Sequence, residues 1–210
     1  MAAPALLLLV PVSTVLILLA VGTPPAVGGS GNLTRWGLPV LRAVQDVAAA
    51  GTVGLLVLAA AILPAAPGAD PKRLTGLRRD AVRWAGTGAA AWVLSGALGL
   101  ILTYADVAGV SPLRGGVLAE VWSFVGSDDR GRSLAVSVLL AAVVALGART
   151  ATRSTTAGIL AAGALVALLP LALAGHAEGA RNHGIAVDSL GVHLVAVTVW
   201  VGGLGGLALL

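Results

Sequence analysis

Long apolar runs dominate the chain, separated by short polar or glycine- and proline-rich connections. Six can be read, at 4–21, 38–63, 81–104, 132–149, 156–174 and 188–210. Each is near the roughly 20 residues that a helix needs to cross a bilayer. The pattern predicts an all-α integral membrane protein, a bundle of about six transmembrane helices forming one polytopic domain over 1–210. The run at 38–63 is long enough to tilt or to begin outside the hydrocarbon. A seventh, shorter feature spans 112–125, where Leu113, Val117, Val121, Trp122 and Val125 fall at helical spacing. Pro112 suits the first turn of a helix. This stripe reads either as a short amphipathic helix on the outer membrane surface or as a packed loop. The last apolar run reaches Leu210 with no polar flank, which sets the expectation of a longer protein of which this is the N-terminal part.

Composition agrees with lipid as the solvent. Of the 210 residues 58% are apolar and 10% charged, against about 25% charged in soluble domains. The net charge is +4, but the basic residues do not gather on an aromatic-rich face, so nucleic acid is not an expected partner. In a membrane protein such residues flank spans and set orientation. The absence of Cys removes disulfides, thiolate metal sites and cysteine nucleophiles. The first run is followed by Gly22, Pro24, Pro25 and Gly28, as a signal peptide would be, but no basic segment precedes Leu6. That favours a retained span.

Orientation follows from the cations. Lys72, Arg73, Arg78, Arg79 and Arg83 crowd the 64–83 connection, and Arg149 and Arg153 flank the 150–155 turn. Arg35, Arg42, Arg114, Arg130, Arg132 and Arg181 fall on the other side and are more dispersed. The positive-inside rule places the crowded side, and with it the N-terminus, in the cytoplasm. The connections 22–37, 105–131 and 175–187 then face out.

Candidate chemistry is concentrated late in the chain. His176 ends the fifth run, His183 lies in the following connection, and His193 stands inside the sixth run. Antiparallel neighbours joined by a short connection bring His176 and His193 to a similar depth near the outer face. Imidazole binds copper, zinc and haem iron, and ionisable groups inside spans are costly and usually functional. The alternative is a pair of hydrogen-bonded histidines packing helix ends. Asp46 lies in the second run with Gln45 beside it and Arg42 four residues earlier. It reads as a paired charge that reaches the interface or as an oxygen ligand in an outward-facing polar pocket. Asp106, Asp128, Asp129 and Glu178 add acidic character to the outer connections. No phosphate-binding loop, HExxH helix or Gly-x-Ser-x-Gly elbow is present. The chain therefore reads as non-enzymatic. Met1 is the only methionine, which argues against a methionine-lined Cu(I) path.

Particular residues carry a family resemblance. Gly175-His176-Ala177, Asp188 to Leu194 with His193, and Trp200-Val201-Gly202-Gly203-Leu204 resemble the copper resistance protein D (CopD) family. Leu38-Pro39-Val40-Leu41-Arg42 running into Asp46 is similar to an early span of its actinobacterial form. So are Gly109-Val110-Ser111, Trp122-Ser123-Phe124 and Gly131-Arg132. That form is often fused to a cytochrome c oxidase assembly (CtaG-like) membrane domain.

The resemblance implies copper handling at the bacterial inner membrane: uptake or resistance, and copper supply for oxidase assembly. The implied partners are copper ion, membrane lipid, and a periplasmic copper carrier or oxidase assembly factors. His176, His193 and Asp46 are the candidate copper residues. The family also resembles four-helix haem membrane cytochromes, so a b-type cytochrome subunit is the alternative. A structural assembly partner without metal is a third reading.

Topology gives the first test. A reporter fused after Arg79 is expected in the cytoplasm and one fused near Gly179 outside. The reverse at both points would invert every assignment of faces.

Overall fold

The computed structural model describes residues 29–65, 70–175, 196 and 198–207. The expected first span at 4–21 lies outside the described residues. Every described element is helical, as the apolar runs predict. α1 (Gly31–Val57) continues through a π-helical turn, Leu58–Ile62, into a 3₁₀ turn, Leu63–Ala65. α2 covers Pro71–Ala108, α3 Val117–Ser127, α4 Asp129–Ala148 and α5 Ser154–Gly175. A final apolar helix, α6, covers Thr198–Leu207. Gly31–Ile62, α2, α4 and the Ser154–Leu171 part of α5 are each long and apolar enough to cross a membrane. The predicted sixth span, 188–210, is described only through 196 and 198–207.

Local chemistry fixes the ends. Asp70 caps α2 by accepting a hydrogen bond from the Lys72 amide at 3.0 Å, and Pro71 occupies the first turn. The far end of α2 closes on Gly109, whose φ of 63° is left-handed, while the Val110 amide bonds back to the Ala105 carbonyl at 3.0 Å. Asp128 caps α4 through the amides of Arg130 and Gly131 at 2.9 and 3.2 Å. Two sequence boundaries are corrected by these caps. The basic 64–83 connection is mostly helix, because the Asp-Pro cap starts α2 ten residues before position 81. The predicted 112–125 helix begins at Val117, and Pro112 stands in the turn before it.

α1 packs on α2, α2 on α4, α4 on α5, and α5 closes back onto α1. The core is made of small residues. α1 contributes Ala48, Ala49 and Val53, and α2 contributes Ala81, Ala85 and Ala89. Ala141 and Val144 come from α4, and Ala157, Ala161, Ala164 and Ala167 from α5. Many large side chains point outward: Leu94 on α2, Leu139 and Val143 on α4, and Ile159 on α5 are all exposed, while Trp92, Leu56 and Leu58 are enclosed among the small residues. This is the arrangement expected in lipid. Leucine gains little by leaving acyl chains, whereas small residues let backbones approach and gain dispersion contacts.

Glycine makes the closest approaches. A methyl placed on Gly88 would lie 2.7 Å from Thr52 Oγ1, and one on Gly96 2.8 Å from Val138 Cγ2. α6 crosses α1 at a glycine pair. A methyl on Gly54 would overlap the Gly202 backbone, and one on Gly202 would overlap the Ala50 carbonyl. Gly206 faces Leu55 and Leu58, further along α1, so α6 runs parallel to α1. Hydroxyls add a second tier of contacts. Ser137 on α4 donates to the Ala167 carbonyl of α5 at 2.8 Å, and Thr52 on α1 reaches the Ala85 carbonyl of α2 at 3.4 Å. Such bonds average about 0.6 kcal/mol in membranes, so close packing dominates.

The crossing predicts a clear asymmetry. Gly54→Val should lower the thermal midpoint of the detergent-solubilised protein, with an overpacking cost of about 1–3 kcal/mol. Gly76→Ala, on a part of α2 where a methyl meets nothing within 4 Å, should be tolerated. Equal midpoints for the two variants would show that α1 and α6 do not touch there.

Candidate functional site

The helices meet at two ends. At one, the start of α1, the end of α2, α3 and the start of α4 come together, and the Gly29 amide donates to the Gly109 carbonyl at 3.0 Å. Because α5 runs antiparallel to α4, its last residue, Gly175, points toward this same end. The cation-rich segment at the start of α2 and the α4–α5 turn with Arg149 and Arg153 occupy the opposite end.

Of the predicted metal residues, Asp46 is described. It stands fifteen residues after Gly31 in α1 and is exposed on the bundle surface. Arg42, one turn earlier on the same ridge, is also exposed, and its charge acts on Asp46. The same ridge continues through Ala50 and Gly54, the positions that α6 covers. Asp46 thus lies on the line along which α6 approaches α1. Gln45, its neighbour, turns inward: it is buried, and its amide lies against Gly96 of α2. His176, His183 and His193 lie outside the described residues. Among the described residues no three His, Cys, Asp or Glu side chains gather into a group able to hold a metal.

Buried polar groups gather near the level of Gln45. Ser95 on α2 and Ser137 on α4 are buried, as is Thr198 on α6. Ser95 is satisfied by the carbonyls of Ala91 and Trp92 on its own helix, at 2.8 and 3.2 Å. Trp92 is fully enclosed, and among the described residues its indole N–H has no acceptor. A buried donor without a partner costs about 1–3 kcal/mol. Trp92 is therefore held by its packing rather than by polar contact.

Several acidic residues at the α3 end of the bundle have structural roles. Asp128 caps α4, and Asp129 pairs with Arg132 at 2.9 Å. Glu120 accepts from the Tyr104 hydroxyl and from the Arg114 guanidinium. The Tyr104 hydrogen bond, and then the Arg114 charge, hold its carboxyl below the usual carboxylate range. No sequence reading singled out this three-residue cluster. Its members are ten and six residues apart and meet only because α3 folds back against the end of α2. Glu178 lies outside the described residues.

Comparison with known families agrees with this architecture. The model of the copper resistance protein D-like N-terminal domain matches residues 33–186, well over half of the chain. The match runs from the start of α1 past the end of α5. It includes Asp46, His176 and His183, while His193 and the Trp200–Leu204 segment lie beyond it. No curated protein and no solved structure matches the chain. A bundle of apolar helices with a matching family model over most of its length leads to one assignment: the chain belongs to the copper resistance protein D-like family, and it is a multi-pass membrane protein connected with copper resistance.

Proposed function

We propose that this protein handles copper ion at the bacterial inner membrane without catalysing a reaction, through a site formed by His193, Asp46 and His176. The N-terminus is cytoplasmic and the site opens outward, so the cation-rich end of the bundle faces the cytoplasm. Copper uptake or resistance is the role, with supply to oxidase assembly as its extension. A periplasmic copper carrier or an oxidase assembly factor is the partner at the outer end.

The observation that carries the reading is the family match, which takes in Asp46 and His176. Among the described residues, α6 runs parallel to α1, and Gly202 lies against Ala50 and Gly54, one and two turns beyond Asp46 on the same ridge. His193 belongs to the segment that leads into α6. His176 and His193, from neighbouring segments joined by a short connection, are the imidazoles of the site. Imidazole and carboxylate are the strong transition-metal ligands in a chain with no Cys and no internal Met. So few ligands suit an ion that is passed on rather than stored.

His176→Ala and His193→Ala should each abolish copper-dependent growth effects at normal protein levels, and His183→Ala should behave as the parent. Full copper content by elemental analysis in both single variants would place the site elsewhere. A haem absorption spectrum in the purified protein would replace this reading with the cytochrome alternative.

The Arg42–Asp46 neighbourhood gives a separate test. Arg42→Ala strands a carboxylate at membrane depth, where an uncompensated charge costs about 2.5–3.5 kcal/mol on insertion scales. Membrane accumulation of Arg42→Ala should fall below that of the double variant Arg42→Ala/Asp46→Ala. Equal accumulation would mean that Arg42 does not compensate Asp46.

A further inference from the structure

α3 is apolar on two faces. Val117, Val121 and Phe124 are buried against the bundle, and the Phe124 ring lies 5.7 Å from that of Tyr104. Gly131 of α4 packs so closely that a methyl there would lie 2.7 Å from Phe124. On the opposite side Leu118 is 66% exposed and Trp122 77%, and Leu113, in the preceding turn, is 82% exposed. The sequence stripe had put Val117, Val121 and Trp122 together. In the structure Phe124 completes the inner face and Trp122 points away from it.

We propose that α3 lies in the boundary between headgroups and acyl chains of one leaflet, with Leu113, Leu118 and Trp122 immersed in lipid. Length is the first reason. Eleven residues make a helix of about 16 Å, too short for a hydrocarbon core of about 30 Å. Continuity is the second. α3 joins the ends of α2 and α4, and both of those spans carry exposed apolar stripes: Leu94, Leu98 and Val107 on α2, and Val136, Leu139 and Val143 on α4. If these stripes face acyl chains, the outer face of α3 lies where the chains meet the headgroups.

The polar chemistry fits the same depth. Glu120 is the one charged residue within α3, and it is held by Tyr104 and Arg114 rather than left facing lipid. Arg114 and Arg132, at the two ends of the helix, are each about half exposed. A guanidinium has five donors, so each retains N–H groups for a lipid phosphate beside its carboxylate partner. Tryptophan favours this level of a bilayer because its ring is apolar and its N–H is polar.

The chain has no Cys, so single cysteines can be placed cleanly. Leu113→Cys, Leu118→Cys and Trp122→Cys, labelled with a nitrobenzoxadiazole probe in the full chain in liposomes, should show blue-shifted emission. A nitroxide carried on lipid near the headgroup should quench them more strongly than aqueous iodide does. Lys72→Cys, at the exposed start of α2, serves as the water-facing control and should show the opposite order. Stronger iodide quenching at all three positions would place the face in water and overturn the proposal. Failure of both quenchers would mean that protein covers the face, and would overturn it as well. Monodisperse elution of each labelled variant establishes that the fold is kept.

Discussion

Close backbone approach through small side chains is the constraint on which this bundle depends. In lipid, burying a leucine brings no gain from leaving water, so helices associate by fitting surfaces together. Alanine supplies that fit between α1, α2, α4 and α5. Where even a methyl is too large, glycine takes its place, as at Gly88 against Thr52 and at Gly54 against Gly202. The rest follows from these distances. Ser137 can reach a carbonyl of the next helix only because the backbones are close. Many larger residues stand on the perimeter, and a few, Trp92 and Leu56 among them, fill the space left inside.

The same packing shapes the candidate site. α1 presents one ridge, through Arg42, Asp46, Ala50 and Gly54, whose two halves differ in character. The half toward the end of α1 is small and receives α6. The half toward its start is charged and exposed on the bundle. A structural crossing and a candidate ligand are thus consecutive turns of one helix.

At the end of the bundle that carries α3, polar contacts add to packing in holding the elements. Asp128 caps α4, and Glu120 ties α3 to Tyr104 of α2 and to Arg114 of the preceding turn. Of the acidic residues that read in sequence as a source of cation attraction, Asp128 and Asp129 have specific partners, which lessens what they contribute to a long-range field. Together with Glu120 they fix a short helix between two spans.

The apolar runs determined by themselves that the chain is an all-α membrane protein, because a backbone in lipid must satisfy its hydrogen bonds internally and a helix does so locally. Four of the runs fall within long apolar helices, although α1 starts seven and α2 ten residues before the apolar pattern does. Of the motifs that resemble the copper resistance family, Leu38–Arg42 and Gly175-His176-Ala177 fall within the family match, while His193 and Trp200 lie beyond it. Ends were less legible: α2 begins at Pro71 because Asp70 caps it, and the apolar pattern does not register a polar cap. Only the tertiary structure decided which face of α3 turns inward, because Val117, Val121, Trp122 and Phe124 are all apolar and hydrophobicity does not distinguish protein from lipid. It also decided that Glu120 meets Tyr104, and that Gly54 rather than another of the many glycines receives α6. Those pairings join distant parts of the chain, and their partners are chosen by shape and distance, which no local pattern encodes.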